Sequence, residues 1–446
     1  MTKRRTIPAL LMATFGLGAT CATAEQPSQA DLQQQLDALK AEVAQLKAAR
    51  ADAGPAYTQK DVEAAVDSVL RDADKRTSLL AESSSFYGGY IDDKFTIRSA
   101  DGNFSMSPSV GMHFRTVTNW ADNAKSGGRE NIDNGFEVRR LKFGLDGNAF
   151  TKNLYYNFLW ATDRFSGNLV LEEAYARYVF AGNWAVKAGQ YKQMVNQESA
   201  TSFRRFLAAD RSMANEILFG GETHVQGVEL LYDNGTDGNV QALVGFTDGF
   251  NSKNSNFQDP GTSSNPFDFG IEARVNYKFF GDWKSYSDMT AMGNKRDLLV
   301  VGAGFDWSQG GDQDVVRHAV DAQYESGPLA VLAAYYGRWT QNVTGGGDDR
   351  YDWGVMIQAG YMINAQYELF GRWSMTHLDD DFVTGDSEFC ELAIGFNYYI
   401  RGQAAKITVD VTWLPNGSPT DLTGLGILGN EGEDQFLIRG QFQLAL

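Results

Sequence analysis

From residue 110 onwards the chain repeats one pattern about sixteen times: a segment in which apolar and polar side chains alternate, closed by a turn signal. The final repeat, DQFLIRGQFQLAL at 434–446, shows it most cleanly. Phe436, Ile438, Gly440, Phe442, Leu444 and Leu446 share one face, while Leu437, Arg439, Gln441, Gln443 and Ala445 share the other. A period of two with one apolar and one largely polar face is a half-buried β-strand. Two settings suit it. One is the edge of a soluble sandwich, and the other is a transmembrane barrel whose apolar face meets lipid and whose polar face meets a watery lumen.

Other features favour the barrel. Lys3, Arg4 and Arg5 precede an apolar run over 7–19 and the small-x-small sequence Ala22-Thr23-Ala24, which together read as a secretory signal peptide over 1–24. Cys21 invites a lipoprotein reading, but Gly18, Ala19 and Thr20 make a poor lipobox and ordinary cleavage is preferred. The mature chain then keeps Cys390 alone, which excludes an internal disulfide and a thiolate metal site. No later apolar run reaches the roughly 18–20 residues of a membrane helix. Tight links at 181–182, 326–327 and 401–402 leave room only for hairpins, and the long links 192–222, 248–267, 340–350 and 377–387 alternate with short ones. Short turns at one rim and long loops at the other mark an outer-membrane barrel, here of about 16 strands over 110–446. Trp120, Trp160, Trp184, Tyr361, Trp373, Tyr398, Tyr399 and Trp413 sit near strand ends, where amphipathic rings meet the membrane interfaces. The expected location is the outer membrane of a Gram-negative cell, with lipid around the barrel.

Ahead of the barrel lies a helical segment, 25–85. Leu32, Leu36, Leu39, Val43 and Leu46 alternate spacings of four and three, the seam of a coiled coil. Gly54-Pro55 breaks it, and a second helix is expected over 58–80, capped by Thr58. These helices offer either self-association or a tether to a cell-wall component, and in the second case the barrel is chiefly an anchor. Residues 86–109 read as a connecting region that includes two β segments.

Between residues 135 and 249 the series GFEVRRLKFGLDGNAF, LEEAYARYVFAGNWAVKAGQYK, DRSMANEILFG, HVQGVELLY and FTDG resembles the porin O and P family, the phosphate-selective porins of Gram-negative outer membranes. The resemblance implies a sixteen-stranded barrel, a homotrimer, an inward-folded loop that narrows the pore, and passage of anions such as phosphate.

Link 192–222 is too apolar for a solvated loop, since Met194, Val195, Phe203, Phe206, Leu207, Ile217, Leu218 and Phe219 all need cover. Folding into the lumen supplies it and places Lys192, Arg204, Arg205 and Arg211 at a constriction, balanced by Glu198, Asp210 and Glu216. Arginine holds an oxyanion through two parallel hydrogen bonds. Strand parity adds Arg140, Lys142, Arg177, Lys187, Arg372 and Arg439 to the lumen wall. The formal charge of −17, or −20 once the three basic residues of the leader are gone, argues against nucleic acid as a partner. His113, His224, His318 and His377 share no metal-ligand spacing, and no nucleophile elbow, P-loop or dinucleotide fingerprint occurs. The sequence therefore reads as a passive channel for small hydrophilic solutes, with no cofactor and no enzymatic step.

Overall fold

The computed structural model describes residues 86–91, 94–121, 132–257, 267–293, 296–311, 313–341, 348–431 and 433–446, together with 40, 41 and 68. The chain divides into two units, Met1–Ser83 and Ser84–Leu446. The leader, the cleavage site and the seam residues of the expected coiled coil lie outside the described residues.

The second unit is built on one antiparallel sheet. A hairpin of β1 (Phe86–Ile91) and β2 (Lys94–Ser99) leads into β3 (Ser105–Ala121), β4 (Ile132–Asn148), β5 (Leu154–Thr162), β6 (Leu169–Ala181), β7 (Trp184–Lys192), β8 (His224–Asp233) and β9 (Val240–Thr247). There follow β10 (Phe269–Phe280), β11 (Leu298–Gly310), β12 (Gln313–Ser326), β13 (Leu329–Thr340), β14 (Arg350–Asn364), β15 (Tyr367–His377), β16 (Glu388–Arg401) and β17 (Ala405–Leu414). A two-residue ladder, β18 (Gly417–Ser418) with β19 (Asn430–Glu431), precedes β20 (Gln435–Ala445). Eighteen strands share the sheet, and with the hairpin set aside sixteen close a ring. Closure comes where β20 pairs with β3, Phe442 opposite Phe114 and Ala445 opposite Gly111. Val110 and Leu446 exchange two backbone hydrogen bonds of 3.1 and 2.8 Å beside that seam. Closure leaves no unpaired edge, which a spanning sheet requires because lipid offers no hydrogen bonds.

Each of the sixteen alternating segments is a strand, although β3 begins at Ser105 rather than at 110. Alternation sorts the side chains as two solvents demand. Phe136 is 75 % exposed, Ile394 69 % and Phe246 62 %, whereas the inward-facing Arg115, Arg317 and Arg439 are at most 1 % exposed. Tyr399 is a correction to the expected aromatic girdle: it faces inward, is 1 % exposed and donates its hydroxyl to Glu368 at 2.5 Å. Its neighbour Tyr398 faces outward, where it stacks with Tyr367 at 5.1 Å between ring centroids. Two tyrosines in a row on a strand cannot share a face.

At one rim the turns are tight. Gly182 and Gly327 adopt φ of 47° and 53°, values glycine reaches without steric penalty. One connection at this rim breaks the rule. Residues 281–293, after β10, fold inward instead, with a helical turn at Trp283–Tyr286 and Met289 packed in the lumen. At the opposite rim, segment 193–223 between β7 and β8 also turns inward. The largest buried apolar cluster of the described residues is thus inside the barrel. It joins Phe203, Leu207 and Leu218 of that segment to Leu332, Tyr336, Met356 and Phe370 of the wall.

Candidate functional site

Segment 193–223 holds its shape through its own caps. Asn196 Oδ1 accepts from Ser199 N at 2.7 Å at the head of the turn Gln197–Ala200, and Ser212 Oγ accepts from Asn215 N at 3.2 Å at the head of the helix Met213–Phe219. Gly220, at φ 69°, ends that helix in the left-handed conformation. Wall glycines make room for the segment. A Cβ on Gly304 would lie 2.3 Å from the Val195 carbonyl oxygen, and one on Gly111 2.5 Å from the Phe203 ring.

Buried charges then fasten the segment to the wall. Asp210 accepts from Arg140 at 2.6 Å, Arg139 at 2.9 Å and Arg115 at 3.2 Å. Burial alone would raise the Asp210 carboxyl, but these guanidinium groups hold it well below the usual carboxylate range. Glu198 accepts from the hydroxyls of Tyr336 at 2.7 Å and Ser212 at 2.8 Å. Arg372 donates to Glu391 at 2.6 Å and to the Asp210 carbonyl at 2.8 Å. Arg439 pairs with Asp410 at 2.6 Å, and Asp410 also receives Ala209 N at 3.2 Å. Lys406 donates to the Phe206 carbonyl at 2.5 Å.

The ten cations singled out from the sequence fall into two groups. Arg140, Lys142, Lys192, Arg211, Arg372, Arg439 and Lys187 are committed to partners. Lys142 lies 2.5 Å from Glu172 and 3.2 Å from Glu222, and Lys192 lies 2.8 Å from Glu222. Arg211, 2 % exposed, donates to the carbonyls of Glu198, Ser199 and Thr201 and reaches Glu222 at 3.6 Å. Lys187 pairs with Glu229. Arg177, Arg204 and Arg205 make up the other group: among the described residues, no carboxylate lies within 4.0 Å of any of the three guanidinium groups, although Asp288 and Asp146 act on Arg205 and Arg204 from further off. Arg177 Nε is buried without a hydrogen-bond partner, Arg204 lies over the Phe203 ring at 5.6 Å, and Arg205 donates to Ser287. Glu198 and Asp210, expected to balance the loop arginines, are instead taken by the hydroxyls of Ser212 and Tyr336 and by the wall arginines.

These three arginines surround water-accessible space. A cavity of about 710 Å³ is lined by all of them, together with Lys187 and Arg274, each neutralised by its own acid, Glu229 and Asp321. The acid on its lining is Asp233, which accepts from Gln241 Nε2 at 3.2 Å. A second cavity, of about 240 Å³, shares Tyr175, Lys187, Met194, Ala200, Ser202 and Arg204 with the first, so Arg204 stands where the two meet. It also carries Lys94 of the hairpin, 3.0 Å from Asp146. Residues 281–293 join the lining of the larger cavity through Trp283, Tyr286 and Ser287.

Sequence reasoning missed Arg139, Arg115 and the inward turn. A β-bulge between His113 and Phe114 puts an extra residue on β4, so both Arg139 and Arg140 reach the lumen and simple parity fails there. The turn carried a readable signal in its length and in Trp283, Tyr286, Met289 and Met292 at a rim otherwise made of tight hairpins.

Glu172, Glu222 and His224 bring donor atoms within 4.8 Å of one another. The ammonium groups of Lys142 and Lys192 already stand against those carboxylates, and with Arg211 they hold the Glu222 carboxyl well below the usual range despite its burial. The site is a salt-bridge knot and does not fit a metal ion. His113 Nε2 lies 2.9 Å from Gln443 Oε1, with the Phe203 ring 5.1 Å away.

A closed antiparallel barrel with an apolar outer band, a charged lumen and an inward-folded loop defines the class: an outer-membrane porin fold, seated in the outer membrane of a Gram-negative cell and surrounded by lipid. Solved structures agree. An anion-selective porin from Comamonas acidovorans superposes with a TM-score of 0.53 at 14 % identity, over 76 % of this chain and 100 % of that one. OmpT of Vibrio cholerae, an outer membrane protein solved in a trimer form, gives 0.52 at 11 % identity over 76 % and 99 %. OmpF of Salmonella typhi in complex with daunomycin gives 0.52 at 13 % over 77 % and 99 %. At such identities the likeness is one of fold. No family profile matches the chain. An uncharacterized protein of Aquifex aeolicus is 23 % identical over 264 residues, which span 54 % of this chain and 62 % of that relative.

Proposed function

We propose that the protein is a passive outer-membrane channel for small hydrophilic solutes that favours anions, phosphate among them, and works as a homotrimer. One observation carries the anion preference: Arg177, Arg204 and Arg205 face a shared cavity without a carboxylate partner, in a chain whose formal charge is −17. Charge in a narrow space is poorly screened, whereas charge on the outer loops is screened within about 10 Å at 0.1 M salt. The lumenal arginines, and not the overall charge, therefore set which ion enters. The family resemblance around 135–249 and the anion-selective structural neighbour support the same reading, and the trimeric neighbour supports the assembly.

Reversal potentials in asymmetric KCl across a planar bilayer test it. The wild-type channel is expected to favour chloride, and changing Arg204 and Arg205 together to Glu should move it towards potassium. The same change at Arg401, exposed at the rim where β16 ends and away from both cavities, should do far less. Equal small shifts from both sites, or a wild-type channel that favours potassium, would overturn the assignment.

A further inference from the structure

The larger cavity has two kinds of wall, and only one of them suits a bare inorganic anion. Arg177 and Arg204 offer donors on one side. Trp283, Leu231 and Leu243 from other elements, with Tyr175 two residues from Arg177 on β6, contribute ring faces and aliphatic groups. The polar atom of Trp283 is already used: Nε1 donates to the Gly238 carbonyl at 2.9 Å. The Lys278 ammonium, 5.0 Å from the ring centroid, covers one ring face and Tyr286 meets the ring edge-to-face at 5.8 Å, so what Trp283 presents to the cavity is the ring surface these two leave uncovered.

Phosphate carries acceptors in every direction, and each oxygen held away from a donor keeps a desolvation cost. An apolar wall would leave part of it unsatisfied. A carboxylate on a planar apolar body has no such conflict. Its charged end takes two parallel hydrogen bonds from a guanidinium, and its body loses water against rings and aliphatic groups. The volume, about 710 Å³, lies within the roughly 300–1,000 Å³ usual for small-molecule sites. From this lining we infer that the cavity is a binding site for small organic carboxylates with an aromatic or apolar body, held by Arg177 and Arg204 and stacked against Trp283. The inference rests on the anion reading above and narrows it.

The test uses the full-length protein in a planar bilayer, with benzoate, acetate and inorganic phosphate each added as a competitor of chloride current. Benzoate should halve the current at a lower concentration than either of the others. Trp283→Ala should raise the half-blocking benzoate concentration about fivefold, the loss of one aromatic contact. Trp283→Phe should restore most of the block. Folding of each variant is read from its heat-modifiable mobility on a gel, and Leu243→Asn makes the same test if Trp283→Ala is not recovered as a barrel. Phosphate acting at a lower concentration than benzoate, or a benzoate block indifferent to Trp283, would defeat the inference while leaving anion preference in place. A channel that prefers cations would instead defeat the reading beneath it.

Discussion

Two walls of one lumen obey opposite rules. Along β13–β16 the inward side chains include Leu332, Ala334, Tyr336, Met356 and Phe370, and the charges among them are satisfied, Arg372 by Glu391, Arg338 by Asp352 and Glu368 by hydrogen bonds from Tyr399 and Asn397. Along β6–β9 the apolar cluster is absent, and Arg177 goes unmatched beside Arg204 and Arg205 from the two inward segments' meeting point. The difference follows from where segment 193–223 lays its apolar residues. Beneath Phe203, Leu207 and Leu218 water is excluded, and a buried charge persists only with a partner and hydrogen bonds. Where water remains, an unmatched arginine costs little and is available to a passing anion.

The largest expected effect comes from breaking the matched side. Asp210→Asn removes the carboxylate shared by Arg115, Arg139 and Arg140, and stranding buried charges costs about 3–5 kcal/mol. The heat-modifiable transition should fall by many degrees and single-channel conductance should rise as the segment lifts from the wall. Unaltered conductance with an unaltered transition would mean that Asp210 fastens nothing.

A smaller effect should come from crowding the same interface. A Cβ on Gly360 would lie 2.8 Å from Leu207 Cδ1 and 2.7 Å from Glu368 Oε1, so Gly360→Ala should cost about 1–3 kcal/mol through overpacking. Gly135→Ala, with nothing within 4 Å, should leave the transition within error. Equal transitions for the two variants would remove the claim that wall glycines seat the segment.

The smallest effect sharpens the wet side. Burial pushes the carboxyl of Asp288, in the inward turn, up to about 6, against a lowering pull from Arg205 and Lys406. The folded state therefore holds this proton more tightly than the unfolded chain. That contribution to stability is fully present below about pH 4 and is lost as pH rises through 6. Ionisation also places a negative charge near Arg205, so anion preference should weaken between pH 5 and 7.5. Asp288→Asn should hold the preference at its acid value throughout, and an Asn variant that still titrates as wild type would assign the pH dependence to another group.

Much of this architecture is legible in the chain because a period of two fixes both the strand and the solvent each side chain meets. Arg140, Lys142, Arg177, Lys187, Arg372 and Arg439 could be placed in the lumen on that basis alone. Parity fails where a bulge adds a residue, as at Arg139, and where neighbours differ in role, as at Tyr398 and Tyr399. Pairing is harder still. Asp210 meets Arg115 across a separation of 95 residues, and Arg204 is left free only because other acids found partners on distant strands. Such matches are decided by the closed ring and leave no local trace. For segment 25–85 we propose helices that self-associate or tether the barrel to a cell-wall component, and truncation of 25–85 tests this through conductance and envelope attachment.

The fastening of segment 193–223 has a consequence for how one molecule behaves in time. Its anchors are spread round the ring, on β3, β4, β10, β12, β13, β15, β16 and β17, and each of these is a buried charge or a hydrogen bond to one. Releasing any single anchor strands a charge without gaining water, so partial lifting is disfavoured and the anchors let go together or not at all. Current through a single barrel then runs as a quiet, flat trace with rare whole steps, and the flicker of a loosely held loop is absent.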